Sequence, residues 1–283
     1  MTSIAFVTTC KNRLHHIRQT LPIIANSKAS EVVLVDYGCP DNAGDWVEAN
    51  LPAIKVVRVT DDTGFSAARA RNMGAAVTSS EWLVMIDGDV VIDPDWLDWM
   101  HENLKVGEFY RAAPIDGKRD PETYGTAICR RADFMAMGGY DDAFRGWGGE
   151  DDDLYQRLGA RGLERCHYPS RFVSAIHHGN EERGGWDGLS GMEDKSLLNY
   201  AYMTAKTQAI HANGGKPLSL ASRQSLMDGT RHALARWAKE GTDKPLPIRF
   251  VLAQTKPIKI AGRNTIDSEL TITVRVRREQ QPL

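Results

Sequence analysis

The chain has 283 residues, with 35 basic and 37 acidic side chains and a formal net charge of -2. This balance argues against a nucleic-acid binder that works by bulk electrostatics, and no apolar run reaches the roughly 18 residues of a transmembrane helix. The four cysteines lack a C-x-x-C pair, which disfavours a structural zinc and favours reduced thiols. With no signal-peptide pattern at the N-terminus, we expect a cytoplasmic protein that binds small molecules.

The first hundred residues alternate short apolar runs with helical patterns. Strands are predicted at residues 4–8, 32–35, 54–59 and 82–86, and helices follow the first and third of them. This alternation is typical of an α/β fold with a mostly parallel sheet flanked by helices. Ligands of such sheets bind beyond the carboxyl ends of the strands, where Thr9, Asp36 and Asp87 fall.

The alternation loosens after residue 105. Strands are predicted at 109–113, 126–129 and 172–176, a short helix at 131–137, and another helix after the acidic segment at 150–153. The last 70 residues differ again. Leu226, Leu234 and Trp237 mark an amphipathic helix, and alternation over residues 270–276 predicts a strand buried on one side. We therefore expect a main domain over 1–215 and a C-terminal helix-plus-strand appendage over 216–283.

Asp87-Gly88-Asp89 places two carboxylates directly after a predicted strand. Each would repel a nearby diphosphate by about 4 kcal/mol per charge pair at an effective dielectric near 20, and a divalent cation reverses that sign. Oxygen ligands suit Mg²⁺ or Mn²⁺, and an imidazole from His177 or His178 favours Mn²⁺. Successive strand side chains point to opposite faces, so one histidine at most reaches a given metal. The alternative is a solvated turn with a helix-capping aspartate.

Four consecutive acids, Glu150 to Asp153, begin a predicted helix and follow Trp147-Gly148-Gly149. The helix dipole favours acids in a first turn, but one or two would suffice. Crowded carboxylates raise one another's pKa, which brings one of them toward competence as a general base for a sugar hydroxyl. Trp147 would offer a flat apolar face to a sugar ring; its alternative role is a buried core indole.

With these residues collected, the chain resembles the GT-A glycosyltransferases, specifically the family-two-like enzymes with a galactosyltransferase-type C-terminal module. Two segments carry the resemblance, the WGGEDDD sequence at 147–153 and the FSAARARNMG sequence at 65–74. It covers roughly residues 3–180. It implies a Rossmann-like GT-A domain over 1–215, with a nucleotide-sugar half at 1–105 and an acceptor and catalytic half at 106–215.

The resemblance also implies roles for single residues on the donor side. Asp36 would contact the nucleotide base, and Asp87 would lie near the ribose or the donor sugar. Asp89 would bind the metal, Mn²⁺ or Mg²⁺, with His177 or His178 completing its shell. The other residues implied to line the nucleotide and diphosphate pocket are Thr9, Lys11, Arg13, Phe65 and Arg71.

On the acceptor side, Asp151 would be the catalytic base and Glu150 would hold an acceptor hydroxyl, with Trp147 and Asp152 lining the same subsite. The function predicted from these residues is metal-dependent, inverting transfer of a sugar from a nucleotide sugar, with a UDP-sugar favoured, to a glycan or glycoconjugate hydroxyl. The alternatives are a retaining transferase, a non-catalytic protein that binds carbohydrate or nucleotide sugar, and a nucleotidyl transferase, which would have no evident use for Trp147.

Overall fold

The computed structural model describes residues 2–62, 64–145, 148–177, 179, 192–240, 246–249, 258–260, 264–266 and 271–275. The chain forms two compact units. The first comprises Met1–Asp142 and Glu150–Gly188, and the second comprises Ala143–Gly149 and Leu189–Leu283. No helix in the described ranges is both long and apolar enough to cross a membrane.

The first unit is built on a central β-sheet with one small accessory pair of strands. Its strands are β1 (Ile4–Cys10), β2 (Glu31–Asp36), β3 (Lys55–Arg58), β4 (Trp82–Met85), β5 (Val90–Ile92), β6 (Glu108–Ala112), β7 (Ala127–Arg130), β8 (Glu164–Tyr168) and β9 (Val173–Ala175). Seven of them form the main sheet in the order β3-β2-β1-β4-β7-β6-β8, while β5 pairs with β9. The four strands β1 to β4 run parallel, which confirms the predicted mostly parallel α/β sheet.

Helices cover both faces of this sheet. They are α1 (Leu14–Asn26), α2 (Ala43–Asn50), α3 (Ala67–Ala76), α4 (Trp96–Asn103), α5 (Arg131–Ala136) and α6 (Glu150–Ala160), with a 3-10 turn at Ser170–Phe172. Successive strand residues point to opposite faces, so β1 contributes to two cores. Phe6 packs edge-to-face on Trp96, with ring centroids 5.9 Å apart, on one face, and Val7 lies in the cluster on the other.

Helix α3 carries Arg71, so its packing decides where that side chain lies. Ser66 caps this helix, since its hydroxyl accepts a hydrogen bond from the Arg69 amide at 3.2 Å. Near the C-terminal end of α3, a Cβ on Gly74 would overlap the side chain of Val7. The missing side chain lets the helix lie close against β1, and this close packing fixes where Arg71, one turn earlier, points.

The second unit has its own apolar core, to which Tyr202, Leu226 and Ile248 contribute. Its described elements are α7 (Met192–Ala212), α8 (Leu220–Glu240), β10 (Leu246–Arg249), β11 (Ile258–Ile260), β12 (Asn264–Ile266) and β13 (Thr271–Val274). The predicted helix is confirmed as α8, and the predicted strand as β13. Residues 270 and 276 of that strand prediction lie outside the described residues. The predicted boundary at 215 falls between α7 and α8, and the division into 1–215 and 216–283 stays a prediction.

Candidate active site

The Asp87-Gly88-Asp89 turn lies at the carboxyl edge of the sheet, directly after β4. A Cβ on Gly88 would come within 3.0 Å of the Thr9 carbonyl oxygen, so the turn passes close against the end of β1. Thr20 of α1 donates its hydroxyl to the Gly88 carbonyl at 2.8 Å. The turn is therefore fastened to both neighbouring elements, as a site for a charged ligand requires.

Arg71 joins this turn to the acidic segment. Its Nη2 donates to Asp87 Oδ1 at 2.6 Å and its Nη1 donates to Asp151 Oδ1 at 2.9 Å. Only 3 % of the Arg71 side chain is exposed, and its guanidinium carbon lies 5.1 Å from the centre of the Tyr140 ring. Burial opposes the positive charge, but the carboxylates of Asp151 and Asp87 outweigh it and hold the pKa of Arg71 well above its ordinary value.

The four acids that begin α6 do not all meet the same neighbour, because successive residues point about 100° apart around a helix. Asp151 faces Arg71, with Glu150 Oε1 3.9 Å from the same guanidinium. Asp152 accepts a hydrogen bond from the Tyr124 hydroxyl and lies 3.7 Å from Arg119. Asp153 pairs with Arg157 Nε at 2.8 Å, one turn along the helix. The repulsion expected from four adjacent carboxylates is thereby divided among separate cationic and hydroxyl partners.

Glu150 and Asp151 both hold protons more tightly than an ordinary acid. Burial is the main cause in each case. At Glu150 the negative charge of Asp151 adds to the effect of burial. The pKa of Glu150 rises to about 8, although the charge of Arg71 acts in the opposite direction. At Asp151 the pKa is also raised, with Arg71 and the Tyr140 hydrogen bond working in the opposite direction. The raised pKa favours the protonated form of Glu150, and its buried Oε2 has no hydrogen-bond partner among the described residues.

The two oxygens of Asp151 differ in their surroundings. Oδ1 accepts both Arg71 Nη1 and the Tyr140 hydroxyl, the latter at 3.1 Å. Within the described part of the chain, no hydrogen bond to Oδ2 is found. The two bonds to Oδ1 fix the orientation of the carboxylate.

Gly125 forms one wall beside these groups. A Cβ there would lie 2.9 Å from Arg71 Nη2, 2.9 Å from Asp87 Oδ2 and 3.1 Å from Asp151 Oδ2. Distances below 3.0 Å are too short for a real side chain, so a larger residue at this position would force the ends of the Arg71 and Asp87 side chains to shift. The same distances show that Asp87 and Asp151, which are far apart in sequence, border one small volume.

The predicted metal ligands Asp89 and His177 are neighbours through strand pairing. β5 and β9 pair antiparallel, and the Ile176 amide donates to the Asp89 carbonyl at 2.8 Å. The Asp89 carboxylate forms an ion pair with Arg13 at 3.0 Å, and His177 Nδ1 lies 3.0 Å from Glu122 Oε1. Carboxylate and imidazole donors on adjacent strands fit a divalent cation in their chemistry. His178 and Trp147 lie outside the described residues.

Among the described residues, one group of side chains already has its potential metal-ligand atoms close together, and this group does not include Asp89 or His177. Glu108, Glu164 and Cys166 have ligand atoms within 4.8 Å of one another, where β6 pairs with β8. Neither Asp89 nor His177 belongs to such a group in the described ranges, so their role as metal ligands stays a prediction.

The predicted nucleotide side is held together by Lys11. Its ammonium donates to the carbonyl oxygens of Tyr37 at 3.2 Å and Gly64 at 2.7 Å, and so joins the segments that follow β2 and β3. Phe65 packs edge-to-face on Tyr37, with ring centroids 5.3 Å apart. The Asp36 carboxylate accepts the amides of Cys39 at 2.7 Å and Gly44 at 2.8 Å. It therefore shapes the loop that follows β2, and its contact with a base stays a prediction.

Sequence reasoning missed four residues that border the site. Tyr140 orients Asp151, Tyr124 holds Asp152, Glu122 faces His177, and Gly125 leaves space for the cluster. None of them lies in a recognisable motif or at the end of a predicted strand. The only local signal was the Gly138-Gly139 pair before Tyr140, which indicates a turn and nothing about its neighbours in space.

Two family models match the part of the chain that carries this site. Residues 3–112 match the family described as "Glycosyltransferase like family 2", and residues 109–180 match the one described as "N-terminal domain of galactosyltransferase". Together they cover the unit that carries Arg71, Asp87 and Asp151. They confirm the predicted resemblance to the family-two-like glycosyltransferases and to the galactosyltransferase module.

Individual relatives are distant. The chain is 27 % identical to the glycosyltransferase GlyG of Streptococcus pneumoniae over 36 % of this chain and 35 % of that protein. It is 23 % identical to mouse beta-1,4-galactosyltransferase 1 over 69 % of this chain and 51 % of that protein. The chain thus spans about a third to a half of the length of these relatives.

A solved structure confirms the GT-A fold. The mannosyltransferase PcManGT from Pyrobaculum calidifontis, in complex with GDP-Man and Mn²⁺, superposes with a TM-score of 0.50 at 17 % identity. The likeness covers 84 % of this chain and 76 % of that one.

Proposed function

We propose that the chain transfers a sugar from a nucleotide sugar, with a UDP-sugar favoured, to a hydroxyl of a glycan or glycoconjugate, with inversion at the anomeric carbon. The observation that carries this proposal is the double ion pair of Arg71 with Asp87 and Asp151. It holds the turn after β4 and the first turn of α6 against one guanidinium. A donor and an acceptor bound at these two places would be next to each other, which removes much of the entropic barrier to their reaction.

On the donor side, the residues that would hold a divalent cation are Asp89 and one of His177 and His178, with Asp87 beside them toward the donor sugar. Mn²⁺ or Mg²⁺ bound there supplies Lewis-acid stabilisation of the diphosphate leaving group. Arg13, already paired with Asp89 at 3.0 Å, and Lys11 add positive charge to the same edge of the sheet. Thr9, Asp36 and Phe65 would complete the nucleotide pocket.

On the acceptor side, Asp151 would remove the proton of the attacking hydroxyl. Arg71 and Tyr140 hold its Oδ1, and the acceptor proton would go to Oδ2. An ordinary aspartate is a weak base toward a ground-state hydroxyl, but burial raises the pKa of Asp151 and strengthens it as a base. With Asp151 as base, the hydroxyl would displace the nucleotide directly, which gives inversion.

Glu150 would bind the acceptor as a neutral acid. Because its pKa is raised to about 8 by burial and by Asp151, it carries a proton at pH 7 and can donate a hydrogen bond. The buried Oε2, which lacks a partner among the described residues, is consistent with a ligand hydroxyl as its partner. Asp152 and Trp147 would line the rest of this subsite.

The experiment that tests the function is a donor panel. The full chain is incubated with UDP- and GDP-sugars, a set of monosaccharide and disaccharide acceptors, and Mn²⁺, Mg²⁺ or chelator, and nucleotide release is measured. We expect Mn²⁺-dependent release with a UDP-sugar and a product whose anomeric configuration, determined by NMR, is opposite to that of the donor.

Two outcomes would contradict the proposal. A product with the donor's configuration would assign the chain to the retaining transferases. Donor binding without release of nucleotide across the whole panel would favour a protein that binds nucleotide sugars without turning them over. A cytoplasmic location stays a prediction from the cysteine usage.

A further inference from the structure

Two of the four cysteines meet at the carboxyl edge of the sheet. Cys10 is the last residue of β1, and Cys39 lies in the loop that follows β2. Their Sγ atoms are 3.7 Å apart, and the residues are 1 % and 6 % exposed. Strand pairing fixes this arrangement, because Cys10 is in register with Asp36 and the Tyr37 amide donates to the Cys10 carbonyl at 2.9 Å.

The surroundings of Cys39 favour a thiolate. The Asn12 amide donates to its sulfur at 3.2 Å. The hydrogen bond from Cys10 is the largest cause that lowers the pKa of Cys39 to about 6, with help from the backbone amides of Asp41, Asn12 and Ala43 and against the effect of burial. The same hydrogen bond, followed by burial, raises the pKa of Cys10. The two sulfurs thus lie within hydrogen-bonding distance of each other, and the lower pKa belongs to Cys39.

We propose that Cys10 and Cys39 form a redox-active dithiol that small peroxides convert to a disulfide. The Cys39 thiolate attacks one peroxide oxygen, the O–O bond breaks, and hydroxide leaves, so that Cys39 becomes a sulfenic acid. The Cys10 sulfur then attacks the Cys39 sulfur, and the S–O bond breaks as the Cys10 proton and the hydroxyl group leave as water. The two sulfurs lose two electrons in all, and the peroxide gains them.

Disulfide formation would change the shape of the donor edge. An S–S bond is about 2.05 Å long, so the sulfurs must approach each other by more than 1.5 Å from their separation of 3.7 Å. Lys11 follows Cys10 directly, and its ammonium holds the carbonyl oxygens of Tyr37 and Gly64. We infer that oxidation disturbs the Lys11 contacts and weakens nucleotide binding; this consequence, unlike the disulfide itself, rests on the proposed function.

The disulfide is tested by counting thiols. The full chain is treated with hydrogen peroxide, unfolded in guanidinium chloride, titrated with a thiol reagent, and digested for peptide mass analysis. We expect two of the four thiols to be lost and recovered with dithiothreitol, and a peptide pair joined through Cys10 and Cys39. Four retained thiols, or a bridge that includes Cys129 or Cys166, would overturn the proposal.

Matched variants distinguish the roles of Cys10 and Cys39. Cys129→Ser/Cys166→Ser keeps only the proposed pair and should still lose two thiols. In Cys10→Ser, dimedone should trap a sulfenic acid on Cys39, whereas Cys39→Ser should give no label on Cys10. Equal labelling of Cys10 and Cys39 in these variants would contradict the assignment of Cys39 as the attacking sulfur.

The effect on binding is measured by calorimetry with UDP and Mn²⁺ on the reduced and oxidised chain. We expect at least a tenfold weaker affinity after oxidation, reversed by dithiothreitol, and no change in a Cys10→Ser/Cys39→Ser variant treated in the same way. Equal affinities of the two forms would overturn the regulatory consequence. If neither form binds UDP, the proposed donor fails, while the thiol count still decides whether the disulfide forms.

Discussion

Arg71 Nη1 lies 2.9 Å from Asp151 Oδ1 and thereby joins residues eighty positions apart in the chain. The other arm of the same guanidinium reaches Asp87 at 2.6 Å. Because the Arg71 side chain is almost completely buried, its charge depends on these carboxylates for compensation in a medium of low dielectric. One arginine on α3 thus sets the spacing between the predicted donor and acceptor sides.

Arg71→Met should lower the free energy of unfolding by about 3 to 5 kcal/mol, since it removes one partner of a buried ion pair and leaves the others unpaired. Urea unfolding measures the loss. The matched control is Arg58→Met, because Arg58 also bridges two acids, Asp45 at 2.7 Å and Glu48 at 2.6 Å, but at the surface. Apart from the effect of lost packing, Arg58→Met should lower the free energy of unfolding by less than about 1 kcal/mol. Equal losses would show that burial of the Arg71 cluster has no energetic role.

Asp151→Asn should reduce kcat by about 10² to 10⁴-fold, the usual effect of removing a general base, and leave KM for the donor nearly unchanged. The amide keeps the shape of the side chain and its bonds to Arg71 and Tyr140 at least in part. Steady-state kinetics with the donor found in the panel would measure both constants. Asp153→Asn, on the same helix turn but paired with Arg157, is the control and should retain turnover. Unchanged kcat in Asp151→Asn would remove this residue from its role.

Asp89→Asn should weaken UDP binding in the presence of Mn²⁺ and leave it unchanged in excess chelator, because the lost carboxylate is expected to act through the cation. Calorimetric titrations under the two conditions give the comparison. Asp95→Asn changes an exposed aspartate of the next helix and should leave binding unaltered. The same loss of affinity with and without metal would mean that Asp89 acts on Arg13 or the nucleotide directly, and not through a cation.

Gly125→Ala should inactivate the protein, because the added methyl group would lie 2.9 Å from Arg71 Nη2 and from Asp87 Oδ2 and push the ion pair apart. Gly159→Ala is the matched control. No atom lies within 4 Å of a Cβ at Gly159, which is a helix position, so this substitution should stabilise the protein by about 0.5 to 1 kcal/mol. Transfer activity and the temperature of thermal unfolding are measured for both variants. Full activity in Gly125→Ala would show that the cluster tolerates displacement.

Glu150 should make stability depend on pH between about 4.5 and 8. The folded protein keeps the Glu150 proton up to about pH 8, whereas the unfolded chain releases it near 4.5. The contribution is therefore full below pH 4.5 and is lost as the pH rises to about 8, with a slope of at most about 1.4 kcal/mol per pH unit. Glu150→Gln has no such proton, so the stability of the wild type relative to this variant should fall across the range.

Urea unfolding at a series of pH values measures that difference. Glu102→Gln, which changes an exposed glutamate of α4, is the control and should show no slope relative to the wild type. A constant difference between wild type and Glu150→Gln from pH 4.5 to 8 would show that the Glu150 pKa is not raised by folding.

The sequence by itself determined the α/β class and the strands that position the site. Runs such as residues 4–8 and 82–86 are continuously apolar because both faces of a parallel sheet are buried, and this pattern is visible without a structure. The strand ends then located Asp87 correctly at the edge of the sheet. The pattern did not reveal α2, α4, α7 or the short strand β5, whose burial depends on neighbours distant in the chain.

Only the tertiary structure decided which of the acids belong together. The four consecutive carboxylates of α6 are alike in sequence; the i,i+4 spacing allows the pair of Asp153 with Arg157, but the partners Arg71 and Tyr124 were not deducible from spacing. Arg71 is predicted to border a diphosphate, and that role stays a prediction; what the structure adds is its burial between Asp87 and Asp151. Local sequence fixes strands and helix ends because those depend on nearby residues. The pairing of buried charges depends on how α3 and α6 pack on the sheet, which is a property of the folded chain alone.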